Sequence, residues 1–515
     1  MVYRDAVNRY RPELHVTAEV GVLEAPAGAL GRGESLHVFH QFRPRPDAGA
    51  RWAHQVASGI PYGWDVCDDV LVPRDEEIDC LAGSSVPVGE GVELFFVTTT
   101  PGGGADRAGL RSNTVPHGHR GERRFTVQRA RIADLGAATT EVSDDPSVVS
   151  PFVERLGPVD IDDSAHPIHD LATPSVVRRG DGWTMIALDL VDDEDARIVV
   201  LESTDRQHWT VVGPLEIADT ADAADTVGEP VPDGRPYAPR LTLMTDRGTG
   251  EDRDVLFITY PDASIDGVDG SGETTGYIVG ALDGAAFRAS TGFQVLDHGH
   301  DFTRPRLVPG NRPVLSGLVG AFPHSDSGDE PATWANCLSV PRFLSLRDGH
   351  LYQDVIGLPT AVRSYTDRAA VYTAQLDVES GSATVDLLNK DGGVIASVTH
   401  SGDRVSVDRD GDVRSAPLAD GDSDTLTIFV DGPVCEVFAD GGLVSLTTAL
   451  TGPRAFDRFA VRATGGARML SAMESLGRQL QRQLAHLDDP AEQEKLIREA
   501  VLADRDLAAG VDPGE

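Results

Sequence analysis

From Tyr10 to about Phe343 the chain contains no long stretch in which apolar residues recur at helical spacing. It repeats another kind of segment: seven or eight residues, β-branched and aromatic, bounded by turn formers. LHVFHQF (36–42), VELFFVTT (92–99), WTMIALDL (183–190), ARIVVLES (196–203), DVLFITY (254–260) and GYIVGAL (276–282) are the clearest. Such side chains suit a pleated, half-buried surface, so these segments are expected to be strands. Asp181-Gly182, between VVRR and WTMIAL, is a strong hairpin signal, and Asp348-Gly349 and Asp391-Gly392-Gly393 resemble it. An all-β body of this size with regular short strands admits a propeller or a large sandwich. No blade repeat is legible, so the pattern leaves both open.

A second β region follows. AVYTAQLDV (370–378), SATVDLLN (382–389), GVIASVTH (393–400), TLTIFVDG (425–432), PVCEVFAD (433–440) and LVSLTTAL (443–450) alternate between apolar and polar residues. That predicts a β-sandwich of about 100 residues. RDGHLYQDVIGLPTAVR (347–363) reads as the connector. Beyond the sandwich, Leu476, Leu480, Leu484 and Leu487 stand at helical spacing, and Asp489-Pro490 caps a second helical pattern that ends at Gly510. The expected organisation is therefore a propeller-sized body (1–346), a linker (347–368), a sandwich (369–473) and a helical tail (474–515). The tail either packs on the sandwich or makes a homo-oligomer contact.

At 515 residues the chain is too long for one hydrophobic core. Its formal net charge of −37 repels phosphate backbones and anionic lipid, which argues against nucleic acid and membrane partners. The opening MVYRDAVNRYRPELH has no apolar core of a signal peptide, and no run of about 18 apolar residues occurs, so a cytoplasmic protein is expected. Cys67, Cys80, Cys337 and Cys435 have no paired spacing and read as buried free thiols. No Cys or His cluster suggests a metal, and no cofactor is expected.

Six segments in order resemble a known family. LHVFHQFRP (36–44), WAHQVAS (52–58) followed by Trp64, CLAGSS (80–85), LDHGHDFTRPRLV (296–308), Trp334 with LSVPRFLSLRDGHLYQ (338–353), and TLTIFVDGPVCEVFADG (425–441) are similar to the motifs of glycoside hydrolase family 32, the invertases, inulinases and levanases. The resemblance spans roughly residues 10 to 472. It implies a five-bladed β-propeller followed by a β-sandwich, with a carbohydrate site at the mouth of the propeller's central channel.

It also implies three carboxylates that this chain lacks. Retaining hydrolysis uses two carboxyl groups about 5 Å apart, one as nucleophile and one as acid/base. The family nucleophile is the Asp of Trp-Met-Asn-Asp-Pro-Asn-Gly. In VLEAPAG (22–28), Pro26 and Gly28 match, and Ala25 stands at the Asp. The stabilising Asp of Arg-Asp-Pro falls on Thr173 in HDLATPSVV (169–177). The acid/base Glu of Glu-Cys-Pro falls on Tyr237 in RPYAPRLTL (235–243). The resemblance thus implies the fold without the family's hydrolytic chemistry.

Other carboxylates near these motifs are Glu24, Asp170 and Glu229, candidates for displaced catalytic groups. Strand alternation places Glu24 opposite to Ala25. Gln41, Trp52 and Ser84 match sugar-contacting positions of the family, with inner-strand packing as the alternative for Gln41 and Trp52. Arg240, Arg304 and Arg306 stand where the family has Asp, Ala and Gln. Pointing into the mouth they would suit an anionic ligand; otherwise they pair with surface carboxylates. Three readings follow: a non-catalytic protein that binds a carbohydrate or sugar-derived ligand or serves as a partner-binding scaffold, a β-fructosidase-like or other sugar-processing enzyme using displaced groups, or an assembly role through the C-terminal helices.

Overall fold

The computed structural model describes residues 11–477, apart from 60, 103–122, 146, 192–194, 219–227, 262–272, 311, 321–333, 379, 420–423 and 451–455, together with 487, 489–496 and 498. Five mainly antiparallel sheets form the blades of a β-propeller. Their innermost strands are Gly21–Arg32, Asp79–Val88, Asp170–Arg179, Tyr237–Thr245 and Phe302–Val308. The strands legible as apolar runs are the middle strands of the blades, such as Ser35–Arg43, Gly91–Pro101, Gly182–Leu190 and Asp252–Pro261. Both their faces are covered by neighbouring blades, which is why Phe39, Phe95, Phe96, Ile186 and Phe257 are wholly buried. Phe95 meets Trp209 edge-on at 6.1 Å, an aromatic contact that joins blades two and three.

The ring closes through a non-local pairing. Trp334 and Ala335, which follow strands of the fifth blade, pair in parallel with Gly21 and Val22 of the first. Two further five-stranded sheets pack face to face as the sandwich, around a core that includes Val385, Leu387, Val398, Ile428, Val437 and Leu446. The Asp-Gly hairpins form where expected, with Arg179 opposite Gly182 and Arg347 opposite His350.

The structure corrects two expected boundaries. Residues 347–354 are not linker: His350–Asp354 is the outer strand of the fifth blade, paired with Arg342–Arg347. The connector proper carries a helix, Leu358–Tyr365, which was not foreseen. Leu476 is not helical. It ends the strand Arg468–Leu476, opposite Ala370, so the sandwich continues past residue 473. Leu480 and Leu484 lie outside the described residues. Asp489 does cap a helical turn, accepting from Ala491 N at 2.9 Å.

Propeller and sandwich are joined by a buried ionic cluster. Arg342, wholly buried, donates to Asp297 at 2.9 Å, Gln353 at 2.8 Å, and Glu436 and Thr447 at 2.6 Å. Its guanidinium lies 4.4 Å from the ring of Phe302 and 5.1 Å from that of Phe438. His15 extends the cluster, 2.8 Å from Asp431 and 3.0 Å from Glu436. Burial opposes its charge, but the hydrogen bonds to Asp431 and Glu436 prevail and raise its pKa to about 9.

Candidate ligand site at the propeller mouth

The inner strands share one irregularity. Each breaks register with its neighbour near its start: at Glu24 and again at Ala27, at Ala82-Gly83, Thr173-Pro174, Ala238-Pro239 and Arg304-Pro305. Proline cannot donate to a ladder, so it is tolerated where an extra residue already interrupts pairing. The residue before it pays in conformation: Thr173, Ala238 and Arg304 have φ of 49°, 46° and 53°. That is a left-handed geometry, whereas a residue before proline favours an extended one. Such strain costs on the order of 1–3 kcal/mol per residue. The bulges re-aim the side chains around them: Thr173 lies in one, and Ala25 and Tyr237 are paired residues that each adjoin one.

Ala25 lies opposite Gln41 and is buried. Glu24 is the bulged residue beside it, so the alternation that would send the two to opposite faces does not hold here. The Glu24 carboxylate accepts from Gln41 Nε2 at 2.5 Å and from Arg43 Nε at 2.7 Å. Gln41 Oε1 in turn accepts from Ala82 N at 2.6 Å, tying blade one to blade two. Arg43 Nη1 also stands 3.0 Å from Asp79. Asp79 is buried, which disfavours its charge, yet the Ala50 N–H and the guanidinium groups of Arg43 and Arg123 hold its pKa below the usual range.

On the other side of the mouth stand Tyr237, Arg304 and Glu273. Arg304 Nε donates to Glu273 Oε2 at 2.9 Å, with a second contact between Nη2 and Oε1, and Arg304 Nη1 donates to the Glu24 carbonyl at 3.2 Å. The guanidinium lies 5.2 Å from the Tyr237 ring centroid. Burial raises the Tyr237 pKa despite this cation, so its hydroxyl stays protonated at neutral pH. Burial also works against ionised Glu273, but Arg304 and the Thr303 hydroxyl more than offset it and its pKa is lowered. Nothing in the sequence singled out Glu273. It opens the third strand of blade four, and only blade geometry brings it to Arg304.

Beneath this layer lie the residues that follow the bulges: Ser84, Ser175, Arg240 and Arg306. Arg306 Nε donates to Gly83 O at 2.9 Å, reaching from blade five to blade two. Arg240 Nη1 donates to Thr173 O at 2.9 Å and to Pro239 O. Neither has a carboxylate partner among the described residues. Of the two alternatives for these arginines, pairing with a carboxylate holds among the described residues for Arg304, whose partner Glu273 is largely buried. Desolvation depresses the Arg306 pKa to about 9.

The remaining candidates divide. Ser84 Oγ accepts from Val176 N at 3.1 Å, on the channel side of blade two. Trp52 is wholly buried, donates to Leu81 O at 3.2 Å and meets Phe96 edge-on, so it packs the blade and offers no surface to a sugar here. Asp170 begins its strand and accepts from Phe125 N at 3.4 Å. Glu229 is exposed, and its backbone pairs with Phe293 outside the inner strands. Among the described residues no helix is long and apolar enough to cross a membrane.

Five blades converging on a polar axial mouth, with a sandwich clamped to the fifth, define a propeller-type glycoside hydrolase architecture. The chain belongs to glycoside hydrolase family 32: the model of the "Glycosyl hydrolases family 32 N-terminal domain" matches residues 15–355. It is 23% identical over 460 residues to the probable sucrose-6-phosphate hydrolase of Psychromonas ingrahamii, covering 84% of this chain and 75% of that one. Against the sucrose-6-phosphate hydrolase of Bacillus subtilis the identity is 24% over 365 residues, covering 69% and 67%. The sucrose-6-phosphate hydrolase structure of Lactobacillus gasseri superposes with a TM-score of 0.69 at 17% identity, over 93% of this chain and 95% of that one. The Bombyx mori GH32 β-fructofuranosidase superposes with a TM-score of 0.68 at 19% identity, over 93% and 96%. At these identities the superpositions speak for the fold.

Proposed function

We propose that this protein is a family-32 member that does not cleave β-fructosides by double displacement, and that it binds a small carbohydrate or sugar-derived ligand at the propeller mouth. One observation carries the reading. The inner-strand positions that the family resemblance assigns to the nucleophile, stabiliser and acid/base are Ala25, Thr173 and Tyr237, and the nearby Glu24 and Glu273 are each tied to a guanidinium. A methyl group cannot form a glycosyl ester. Glu273, whose carboxyl Arg304 holds below the usual range, is a poor proton donor to a leaving oxygen. Loss of catalytic groups that act together costs about 10⁶ in kcat, near 8 kcal/mol of barrier.

The test is incubation of the purified chain with sucrose, sucrose 6-phosphate, inulin and levan, followed by chromatography of the products. Fructose release at an ordinary enzymatic rate refutes the proposal. The bulge at Glu24 favours one second reading, in which Glu24 acts in place of Ala25. Turnover that survives in wild type and disappears in Glu24→Gln would establish it.

A further inference from the structure

Two buried arginines of the inner strands have no carboxylate partner among the described residues. Arg240 is 2% exposed and Arg306 5%. Both donate only to main-chain carbonyls: Arg240 to Thr173 and Pro239, Arg306 to Gly83 and Pro305. Arg240 Nε and Nη2 are buried and have no hydrogen-bond partner, and the same is true of the neighbouring Thr173 Oγ1. Ser175, the residue after the blade-three bulge, is also buried on this strand. A buried unpaired guanidinium is costly, so natural interiors pair or hydrogen-bond it fully. In a chain of net charge −37, a carboxylate to neutralise it would be easy to supply. None is supplied among the described residues, while Arg43, Arg123 and Arg304 all have one.

We propose that the layer beneath the mouth is an anion site in which Arg240 and Arg306, with the Thr173 hydroxyl, take a tetrahedral oxyanion: free phosphate, or the phosphoryl end of a small ligand entering by the mouth. Guanidinium donors from two strands plus a hydroxyl match the several acceptor oxygens of a phosphoryl group. The chain's overall negative charge opposes approach only weakly, because solvent salt screens it beyond about 8–10 Å, whereas contacts inside the channel are not screened. The proposal rests on the mouth being a ligand site, but not on the absence of hydrolysis.

The test is thermal unfolding and isothermal titration of the full chain in a phosphate-free buffer with inorganic phosphate, fructose 6-phosphate or fructose, each at ionic strength matched with sodium chloride. The expected result is a concentration-dependent rise in Tm with phosphate or fructose 6-phosphate beyond the chloride control. Binding should be about tenfold weaker or worse in Arg240→Met and in Arg306→Met. Each variant's own Tm without phosphate is the baseline for its titration, since both arginines also bond main-chain carbonyls. Phosphate as effective as fructose 6-phosphate identifies a free oxyanion as sufficient; a preference for the sugar phosphate identifies a phosphorylated ligand. No shift with either compound, an equal shift with chloride, or undiminished binding in Arg240→Met overturns the proposal. Should Arg240→Met not fold, the wild-type titrations decide, with Arg306→Met as the second variant. Sugar release is measured separately, so failure here is distinct from failure of the non-hydrolytic reading.

Discussion

Replacing Arg342 by methionine tests how propeller and sandwich are held together. The side chain is wholly buried and flanked by the rings of Phe302 and Phe438. Methionine retains much of the stem volume and removes only the guanidinium. Asp297 and Glu436, both at 0% side-chain exposure, then lose their cation. Part of the deficit is met by donors that remain: Thr447 N and Ser445 Oγ on Asp297, Val340 N and His15 on Glu436. A buried charge pair broken by removing one partner destabilises by about 3–5 kcal/mol, and we expect that range. Urea unfolding should be followed by tryptophan fluorescence and far-ultraviolet circular dichroism together. All five tryptophans (52, 64, 183, 209 and 334) precede the sandwich, so fluorescence reports the propeller while dichroism reports both bodies. In R342M the midpoint should fall and the two curves should separate. A variant within about 1 kcal/mol of wild type, with coincident curves, would refute the view that this cluster couples the two bodies.

Further outcomes are expected. The raised His15 pKa contributes stability fully present below about pH 6.5 and lost as pH rises through about 9, on the order of 3 kcal/mol; chemical denaturation at pH 6.5 and 9.5 measures it, and His15→Gln should flatten the difference. Burial pushes the Cys67, Cys80 and Cys435 thiols up to about 12, and Cys337 is likewise buried, so a thiol reagent should find no reactive cysteine in the native protein and four in denaturant. A Cβ on Gly83 would stand 2.0 Å from Phe95 O, so Gly83→Ala should lower Tm markedly and weaken the Arg306 contact made to its carbonyl. Glu24→Gln weakens one of the two carboxylate anchors of Arg43, the other being Asp79, without creating or abolishing sugar release, as assayed by product chromatography.

The middle strands of the blades and six strands of the sandwich were legible because burial on regular pleats leaves apolar runs. The inner strands were not. DLATPSVVRR and FTRPRLV carry proline, and GVLEAPAGALGR is mostly small residues, compositions that argue against a strand by the usual signals. They are strands because a bulge accommodates each proline and the channel leaves little room. The same bulge explains the failed inference at Glu24: period-two alternation presumes unbroken register. The mouth positions themselves were located by their Pro and Gly landmarks. Their ion pairs were not, since Glu273 and Arg304 come from different blades and no local pattern links them.

The parallel pairing of Val22 with Ala335 has a consequence during synthesis. The first blade cannot receive its last strand until 313 further residues (335 minus 22) have been made. At about 5–20 residues per second, a nascent chain leaves that edge unsealed for roughly 15–60 s. Until then its exposed backbone is open to any strand that arrives first, so a ribosome-associated chaperone that shields this edge would act early and briefly.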